Sequence, residues 1–336
     1  MATPSTSIPA GSEASTATPA IRVKALAKAY PGNRKALDGL SFEAAAGTVF
    51  ALLGPNGAGK STTIKILTTL IRADAGEAQL LDVDVIRQPQ EARRLFGCVA
   101  QRSGTDAALS ARENLIIQGR LHRIPKLQAR ERMDELLARF RLTEAADKVV
   151  SSFSGGMQRK LDLALGLMHR PKILFLDEPT TGLDPEARAE LWRDIGDLAR
   201  AGTTILLTTH YLEEADRLAA RVAIVDKGRV VAEGPPEVLK ASLNGDSVHF
   251  ELEADAVEAA VRQALASVEG SHGLVCDRRS VRIRVTHGAS ALPRLINALE
   301  AAGIKVASAT VARPTLDDVY LQFAGRSLRG TNGDSL

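Results

Sequence analysis

A glycine-rich stretch, GPNGAGKST at residues 54–62, constrains the fold of this chain more than any other feature. It follows a continuous apolar run, Val49–Leu53, which is typical of a strand buried on both faces. The stretch fits GxxxxGK[ST] and precedes an amphipathic helical pattern, so its backbone N–H groups are predicted to wrap phosphates. Lys60 is expected to reach the β- and γ-phosphates, and Ser61 to coordinate Mg²⁺. The remaining predicted phosphate-loop residues are Gly54, Pro55, Asn56, Gly57, Ala58, Gly59 and Thr62. By itself the pattern suits a GTPase, a kinase or a helicase equally.

Three further apolar runs end in polar residues. LFGCVAQ ends at Gln101, KILFLDEP carries Asp177 and Glu178, and TTILLTTH ends at His210. Helical stretches separate these runs, which is the pattern of a mostly parallel sheet in an α/β domain. Because ligands bind at the carboxyl ends of such strands, these side chains are predicted to lie around the nucleotide.

The chemistry of these strand-end residues suits phosphoryl transfer. Asp177 can hold Mg²⁺ directly or through water. Glu178 points differently and can act as a base that orients the attacking water. His210 is predicted to contact the γ-phosphate or help position that water, and Gln101 to meet the metal or the water. For each residue a structural hydrogen bond or a solvated turn is the alternative, but their joint occurrence with a phosphate loop favours catalysis.

A second candidate anion site lies in FSGGMQRKLDLAL, at residues 153–165. Ser154 is a plausible helix N-cap, and Gly155 and Gly156 leave the first amides uncovered. A bare helix N-terminus attracts anions. Apolar residues at spacings of three and four predict one buried helix face, formed by Met157, Leu161, Ala164, Leu165 and Met168.

Composition narrows the remaining choices. The 336 residues suffice for one large and one smaller domain, and the formal net charge of +3 does not argue for nucleic acid. No apolar run approaches the roughly 18 residues needed to span a bilayer. Cys98 and Cys276 form no CxxC motif, which indicates a reducing compartment and no metal site at either. Residues 1–20 lack the features of a signal peptide and are predicted to be a disordered tail.

Taken together, these motifs resemble the ATP-binding cassette, the nucleotide-binding subunit of ABC transporters. GPNGAGKST resembles the Walker A motif, ILFLDEP the Walker B motif, SGGMQ the family signature, TTGLDP the D-loop and TTH the switch histidine. Gln101 lies where the Q-loop glutamine is expected, and Tyr30 where the family stacks an aromatic ring on adenine, although Tyr30 also suits an edge strand. The order and spacing of the motifs agree over roughly residues 21–240. Phe153 stands where the signature usually has leucine, and Met157 where it often has glutamine.

The resemblance implies a composite site. Two cassettes pair head to tail as a homodimer, and Ser154, Gly155, Gly156 and Met157 meet the ATP bound by the other subunit. Asp184 belongs to the D-loop between them. ATP and Mg²⁺ are the implied ligands, with Ser61, Gln101 and Asp177 at the metal. A separate transmembrane permease is the implied partner, which places the chain peripherally at the cytoplasmic face of the cell membrane, with no membrane span of its own and no nucleic acid.

The fold expected from the resemblance is an α/β P-loop NTPase cassette over residues 21–243. It has a mostly parallel sheet with flanking helices, an antiparallel β subdomain, and a helical subdomain at about 104–170. The start of the helical part resembles the surface on which a membrane subunit docks, but a solvated helix pair is the alternative. From 245 to 325, patterns alternate as β-α-β-β-α-β, which predicts a small α+β, ferredoxin-like accessory domain. Residues 326–336 are predicted to be a tail.

The C-terminal RPTLDDVYLQFAGR, together with SGGMQRKLDLA and TTHYLEEADRLA, resembles the daunorubicin-resistance subfamily of drug-export ATPases. The implied function is therefore an ATPase subunit that powers export of a drug, an antibiotic or another hydrophobic compound. One alternative is an importer ATPase, many of which append an OB-like β module rather than strands that alternate with helices. The other is an ABC-type ATPase acting on nucleic acid, but the chain has neither an inserted coiled coil nor a second cassette.

Overall fold

The computed structural model describes residues 19–324, apart from residues 33, 244, 267 and 269. The predicted tails at 1–20 and 326–336 lie outside this range, except for residues 19 and 20, where the prediction is wrong. Pro19 and Ala20 begin the first strand. Ala20 is fully buried, and its carbonyl accepts a hydrogen bond of 2.7 Å from Leu81 N, so strand pairing orders the chain earlier than its composition suggests.

The chain divides into two compact units between Pro236 and Glu237. The sequence places this division a few residues later, at 243–245, where the composition changes. The elements of the larger unit are β1 (Pro19–Tyr30), β2 (Arg34–Ala45), β3 (Val49–Leu53), α1 (Lys60–Leu67), β4 (Ala75–Leu80), β5 (Val83–Asp84), α2 (Pro89–Leu95), β6 (Phe96–Val99), α3 (Ala111–Leu121), α4 (Lys126–Arg139), α5 (Gly155–Gly166), β7 (Ile173–Asp177), α6 (Pro185–Arg200), β8 (Thr204–Thr209), α7 (Leu212–Leu218), β9 (Arg221–Asp226) and β10 (Arg229–Gly234).

A six-stranded sheet forms the centre of the larger unit, in the order β10-β9-β3-β8-β7-β6. All pairings from β9 to β6 are parallel, and only β10 runs antiparallel to its neighbour. Successive residues of a strand point to opposite faces, and both faces of this sheet are covered. In β7, for example, Leu174 and Leu176 join the core on the side of the helical subdomain, whereas Phe175 joins the core on the other side. This double burial explains the continuous apolar runs of the sequence.

An antiparallel sheet in the order β2-β1-β4-β5 packs its apolar side chains into the second of these cores. The helical subdomain contributes α3, α4 and α5 to the first core, with two short 3-10 turns at Thr143–Ala145 and Val150–Ser152. A capping box starts α3, because Ser110 Oγ accepts from Glu113 N and the Glu113 carboxylate accepts from Ser110 N. The predicted α/β fold class, with its antiparallel sheet and its helical part, is therefore confirmed.

The smaller unit is a four-stranded antiparallel sheet with helices. Its elements, beginning with the helix that spans the division, are α8 (Pro236–Ala241), β11 (Asp246–Leu252), α9 (Glu258–Leu265), β12 (Ser271–Asp277), β13 (Ser280–Val285), α10 (Gly288–Ala301), β14 (Val306–Ala312) and α11 (Leu316–Ala324). The sheet order is β12-β13-β11-β14, which together with the βαββαβ sequence of elements gives the ferredoxin-like arrangement. The last helix, α11, was not predicted; it buries Leu316, Val319 and Tyr320, which are spaced as one helix face.

Candidate active site

The strands that carry the predicted site residues are neighbours in the central sheet. The consecutive strands β3, β8, β7 and β6 lead, respectively, into the phosphate loop, His210, the Asp177–Glu178 pair and Gln101. Since these four strands are parallel, their carboxyl ends lie along one edge of the sheet. The tertiary structure therefore brings together residues that are more than 100 positions apart in the sequence.

Two glycines allow the phosphate loop to pass close to other backbone. A Cβ atom on Gly54 would lie 2.3 Å from the Val225 carbonyl oxygen, and one on Gly59 would lie 2.6 Å from the Ala36 carbonyl oxygen. Gly59 also has a φ of +111°, which disfavours any other residue there. Helix α1 begins directly after it, at Lys60, so the first amides of the helix face the loop.

The Lys60 side chain is 4% exposed and lies folded against its own loop. Its ammonium donates hydrogen bonds to the carbonyl oxygens of Gly54 at 2.6 Å and Pro55 at 3.1 Å, and lies 3.5 Å from Glu178 Oε1. Burial lowers the pKa of Lys60 below its usual value, although the charge of Glu178 opposes this shift. An ammonium group held against the phosphate loop in this way is placed where it can bind phosphate oxygens.

Ser61 and Asp177 form an oxygen pair of the kind that binds Mg²⁺. Ser61 Oγ lies 3.2 Å from Asp177 Oδ1, which also accepts a hydrogen bond from Thr208 Oγ1. Two oxygen ligands at right angles, each about 2.1 Å from Mg²⁺, lie about 3 Å apart, so this donor set fits the ion. Among the described residues, no group of three or more carboxylates, histidines or cysteines is arranged to hold a metal ion.

Glu178 lies at the centre of the candidate site. Its backbone has a φ of +48°, in the left-handed region, and its N–H donates to both the carbonyl and the hydroxyl oxygen of Thr208 at 3.1 Å. Gln101 Nε2 donates to Glu178 Oε2 at 3.3 Å. His210 Nδ1 lies 3.3 Å from Glu178 Oε1, an ion-pair distance, although the two groups are not aligned as a hydrogen bond. Gln101 and His210, both predicted from the sequence, therefore each contact Glu178.

The ionisation of Glu178 follows from these neighbours. Burial raises the pKa of its carboxyl group, because the anion is less well solvated there. The nearby His210 and the Lys60 charge lower the pKa by more, and the net result is a pKa below the usual value for glutamate. Glu178 is therefore ionised near neutral pH, as a general base must be.

Tyr30 lies beside the phosphate loop. It lines a cleft of about 300 Å³ together with the loop residues and Glu178, and its side chain is 36% exposed. Three cations in the same cleft were not predicted from the sequence: Arg34, Lys35 and Lys65. The sequence contained a signal for Arg34 and Lys35. PGN after Tyr30 is a turn pattern, and a hairpin turn there brings the following RK opposite the tyrosine. In the structure, Tyr30 pairs with Arg34 in this hairpin.

The signature residues do not line this cleft. The prediction that Ser154 caps α5 is confirmed, since its hydroxyl accepts a hydrogen bond of 3.3 Å from Met157 N. Met157 packs against the helical-subdomain core with its apolar side chain. Gly156 is packed closely, because a Cβ there would lie 2.9 Å from Ala187 Cβ, but Gly155 has room for one within its own chain. The open surface at Gly155 is thus compatible with a ligand that approaches from outside.

Asp184 lies near the signature, at the start of the helix that packs against α5. It is the N-cap of α6, and its Oδ1 accepts a hydrogen bond of 2.8 Å from Ala187 N. Because α6 packs against α5 through Ala187 and Gly156, the cap of one helix is joined to the first turn of the other. A contact of Asp184 with a second subunit remains a prediction.

Comparison with known proteins identifies the family. A family model described as "ABC transporter" matches residues 37–181, and one described as "ATP-binding protein DrrA1-3-like, C-terminal domain" matches residues 234–324. Daunorubicin resistance ATP-binding protein DrrA3 of Streptomyces coeruleorubidus is 47% identical over 311 residues, which cover 92% of this chain and 97% of that protein. The chain is a member of the ABC transporter ATP-binding subunits.

Two further relatives agree with this assignment. Daunorubicin/doxorubicin resistance ATP-binding protein DrrA of Streptomyces peucetius is 42% identical to this ABC subunit over 92% of the chain and 93% of the relative. The solved structure of the ATP-binding subunit of an ABC transporter matches with a TM-score of 0.60 and 29% identity, over 67% of this chain and 93% of that chain. The resemblance stated from the sequence is therefore confirmed for the family and for its daunorubicin-resistance branch.

ABC subunits of this kind bind ATP, hydrolyse it to drive transport, and work in complexes with transmembrane subunits. None of the helices that the structure describes has the length and apolar character required to cross a bilayer.

Proposed function

We propose that this ABC subunit powers the export of a hydrophobic antibiotic or a similar compound through a separate transmembrane permease. The support is the similarity, over almost the whole chain, to two ATP-binding proteins whose names specify daunorubicin resistance. The matching C-terminal domain supports the same branch of the family. In this proposal the chain acts at the cytoplasmic face of the membrane and contributes the energy-converting site, while the permease selects the compound.

The proposal that the chain hydrolyses ATP at this site is supported by one observation above all. Beside the phosphate loop, Glu178 contacts Lys60, Gln101 and His210. Glu178, ionised and buried, acts as the base that orients water toward the γ-phosphate. His210 and Gln101 hold the carboxylate and the water in line. Lys60 binds the β- and γ-phosphates, and Tyr30 stacks on the adenine ring.

Ser61, Asp177 and Gln101 are proposed to hold Mg²⁺, which when bound supplies positive charge opposite the β- and γ-phosphate oxygens. Thr208 fixes the Asp177 carboxylate by donating its hydroxyl hydrogen to Oδ1. This hydrogen bond orients the carboxylate toward Ser61, so the chain keeps the two oxygens at the spacing that the ion requires.

The functional unit is proposed to be a homodimer in which each ATP lies between the phosphate loop of one subunit and the signature of the other. Ser154, Gly155, Gly156 and Met157 begin a helix whose first amides and dipole favour an anion, yet they lie outside the cleft of their own chain. Asp184, at the start of the adjacent helix, is proposed to contact the second subunit as the D-loop does.

The variant Glu178→Gln tests the site and the dimer together. The amide keeps the shape of the carboxylate but cannot accept a proton, so ATP binding should persist while hydrolysis falls by about 10²-fold or more. Bound ATP should then hold a dimer that gel filtration detects with ATP and not with ADP. Near-normal hydrolysis would show that another group is the base, and a monomer in every condition, even with the permease present, would contradict the paired arrangement.

Export is tested in cells that express the chain with its permease. We expect lower accumulation of a fluorescent anthracycline than in cells with the permease alone, and no reduction when Glu178→Gln replaces the wild type. Equal accumulation in all three strains would contradict an exporter of this class of compound, whereas higher accumulation with the active pair would indicate an importer.

A further inference from the structure

Arg159, on the signature helix α5, is buried against the candidate active site of its own chain. Its side chain is 7% exposed, and its guanidinium donates to backbone carbonyls on two other segments. Nε donates to the Pro179 carbonyl at 2.7 Å, and Nη2 donates to the carbonyls of Glu178 at 3.2 Å and Asp177 at 3.5 Å. Nη1 donates to the carbonyl of Ala100 at 2.7 Å. One side chain thus holds the last residue of β7, the two residues that follow it, and the residue that precedes Gln101.

The segment that Arg159 holds needs such support. Glu178 has a φ of +48°, a conformation that costs free energy for any residue with a Cβ and persists only where the surroundings impose it. On one side of the chain, the Glu178 N–H is bonded to Thr208. On the other side, the Arg159 guanidinium binds the carbonyls of residues 177, 178 and 179. The direction of the Glu178 carboxylate therefore depends on both anchors.

Asp162, one turn further along α5, holds the other side of the Gln101 segment. Asp162 Oδ1 accepts hydrogen bonds from Ser103 Oγ at 2.9 Å and from Gly104 N at 3.0 Å. Asp162 Oδ2 lies 3.4 Å from Arg159 Nη1, and both side chains are buried. The Gln101 segment is therefore bound to α5 immediately before and shortly after the glutamine.

We propose that Arg159 is a positioning residue, which with Asp162 ties Glu178 and Gln101 to the helix that bears the signature. This inference rests on the proposed roles of Glu178 and Gln101 in hydrolysis. It adds that the start of α5, which is proposed to contact the nucleotide of the other subunit, is rigidly connected to the water-activating residues of its own subunit. In this proposal Arg159 acts through the backbone carbonyls that it binds.

In this proposal, position 159 requires a guanidinium group, and a positive charge alone is not sufficient. Five N–H groups in a fixed fork can serve several carbonyls at once, whereas a lysine ammonium is a single point of donation on a flexible stem. Arg159→Lys should therefore retain the charge and the fold but release some of the carbonyls. Arg159→Gln removes both the charge and the fork.

The experiment compares these two variants with a matched control in the full-length chain. Arg132, on α4, is also a buried arginine, 9% exposed, and donates to a backbone carbonyl at 2.8 Å. That carbonyl belongs to Leu167, the C-cap of α5, and not to the segments that Arg159 binds. Arg132→Gln therefore measures the effect of losing a buried arginine in the same unit. Thermal unfolding of all variants shows the loss of stability that each one causes.

The first readout is amide hydrogen exchange of the nucleotide-free chain. In the Arg159 variants, peptides that cover residues 99–105 and 177–182 should both exchange about tenfold faster, because both segments lose their anchor. Arg132→Gln should leave these two peptides unchanged. An increase confined to α5, or one that appears equally in the control, would overturn the proposal. If Arg159→Gln does not fold, Arg159→Lys decides the result.

The second readout separates ATP binding from hydrolysis. The Arg159 variants should lower kcat by about 10²-fold for a carboxylate displaced by about 1 Å. KM for ATP should change by less than about threefold, because the phosphate loop is untouched. A kcat that falls only as far as in the Arg132 variant would overturn the proposal. Normal hydrolysis by Glu178→Gln would instead contradict the proposed role of Glu178, and the exchange result would still decide whether Arg159 anchors the two segments.

Discussion

Burial controls the protonation of individual residues away from the candidate site as well as within it. The rings of His122 and His169 stack with centroids 3.9 Å apart and planes 4° from parallel. His169 Nε2 lies 2.9 Å from the Phe96 carbonyl and so donates its proton there. Burial, reinforced by His122 and Arg132, lowers the pKa of His169 to about 4, because a second proton would place a charge in this poorly solvated position.

This shift predicts a loss of stability in mild acid. In the unfolded chain His169 has an ordinary pKa of 6.5, so below that pH the unfolded state binds the proton more readily than the folded state. Above pH 6.5 the ring is neutral in both states, and its titration does not change the free energy of unfolding. As the pH falls from 6.5 toward 4, protonation of the unfolded chain progressively lowers the stability of the folded state. Discounted for partial exposure, the loss attributable to His169 between pH 7 and pH 5 is about 1 kcal/mol.

The measurement is urea unfolding at pH 7 and pH 5, followed by the fluorescence of Trp192, which is the single tryptophan of the chain and lies buried in the larger unit. His169→Gln should lose about 1 kcal/mol less stability than the wild type over this interval. His272→Gln, on an exposed position of the smaller unit, is the control and should behave as the wild type. Equal pH dependence in the wild type and His169→Gln would contradict the assignment.

At the scale of an element, helix α5 combines three tasks along its 12 residues. Its first turn carries the signature, its middle carries Arg159 and Asp162, and its apolar face packs into the core of the helical subdomain through Leu161, Ala164 and neighbouring residues. The two glycines of the first turn differ in the space around them. Gly156 is required by its contact with Ala187, whereas nothing within the chain prevents a side chain at Gly155.

The two glycines should therefore respond differently to alanine. Gly156→Ala should destabilise the larger unit by about 1–3 kcal/mol, because the new methyl group overlaps Ala187. Gly155→Ala should leave stability unchanged or raise it by up to about 1 kcal/mol through helix propensity. Urea unfolding followed by Trp192 fluorescence checks both values.

Although Gly155→Ala should not lower the stability of the fold, it should impair dimerisation. In a Glu178→Gln background, Gly155→Ala should weaken the ATP-dependent dimer in gel filtration, because in the proposed dimer the methyl group would occupy the space of the γ-phosphate bound by the other subunit. Wild-type dimerisation of this stable variant would indicate that the surface at Gly155 meets no ligand.

At the scale of the whole molecule, the chain places one set of candidate hydrolytic residues and one signature in the same unit, but not in the same cleft. In the proposed homodimer, two copies related head to tail would complete two sites. Closure then follows from ATP, since a ligand that binds only the paired state shifts the population toward it. The smaller unit has a hydrophobic core of its own.

The paired arrangement predicts complementation between two inactive variants. In the proposed dimer, Lys60→Ala would remove the phosphate-binding charge and Gly155→Asp would place a carboxylate against the γ-phosphate, so each homodimer would have two defective sites. In a mixed dimer both lesions fall on one site, and the other site joins an intact phosphate loop to an intact signature.

Mixing the two variants with the permease should therefore restore ATP-dependent closure and single-turnover hydrolysis at one site per dimer. Steady turnover can remain low if both sites must act. Differently tagged chains, purified in sequence through both tags, show that mixed dimers have formed. Mixed dimers as inactive as either parent would mean that phosphate loop and signature do not share a nucleotide.

Much of the candidate site follows from local sequence, because its chemistry needs particular residue types at fixed positions on short elements. Lys60 after the glycine loop, Asp177 and Glu178 after a buried strand, and the Ser154 cap were all predicted from stretches of fewer than 20 residues. The strands themselves were predictable because burial on both faces leaves a continuous apolar run. The βαββαβ order of the smaller unit was predictable for a similar reason, since its strands and helices differ in hydrophobic period.

The contacts between segments that are distant in the sequence were decided by the tertiary structure alone. Nothing near Arg159 in the sequence indicates that its guanidinium binds the backbone of residues 100 and 177–179, because carbonyl oxygens are the same in every residue and leave no pattern. The stacking of His122 on His169 and the left-handed backbone of Glu178 likewise depend on how helices and strands meet. The sequence by itself determined the elements and the chemical groups at their ends, since these depend on neighbours along the chain. The packing of the elements decided which of those groups touch, and therefore how they are held and protonated.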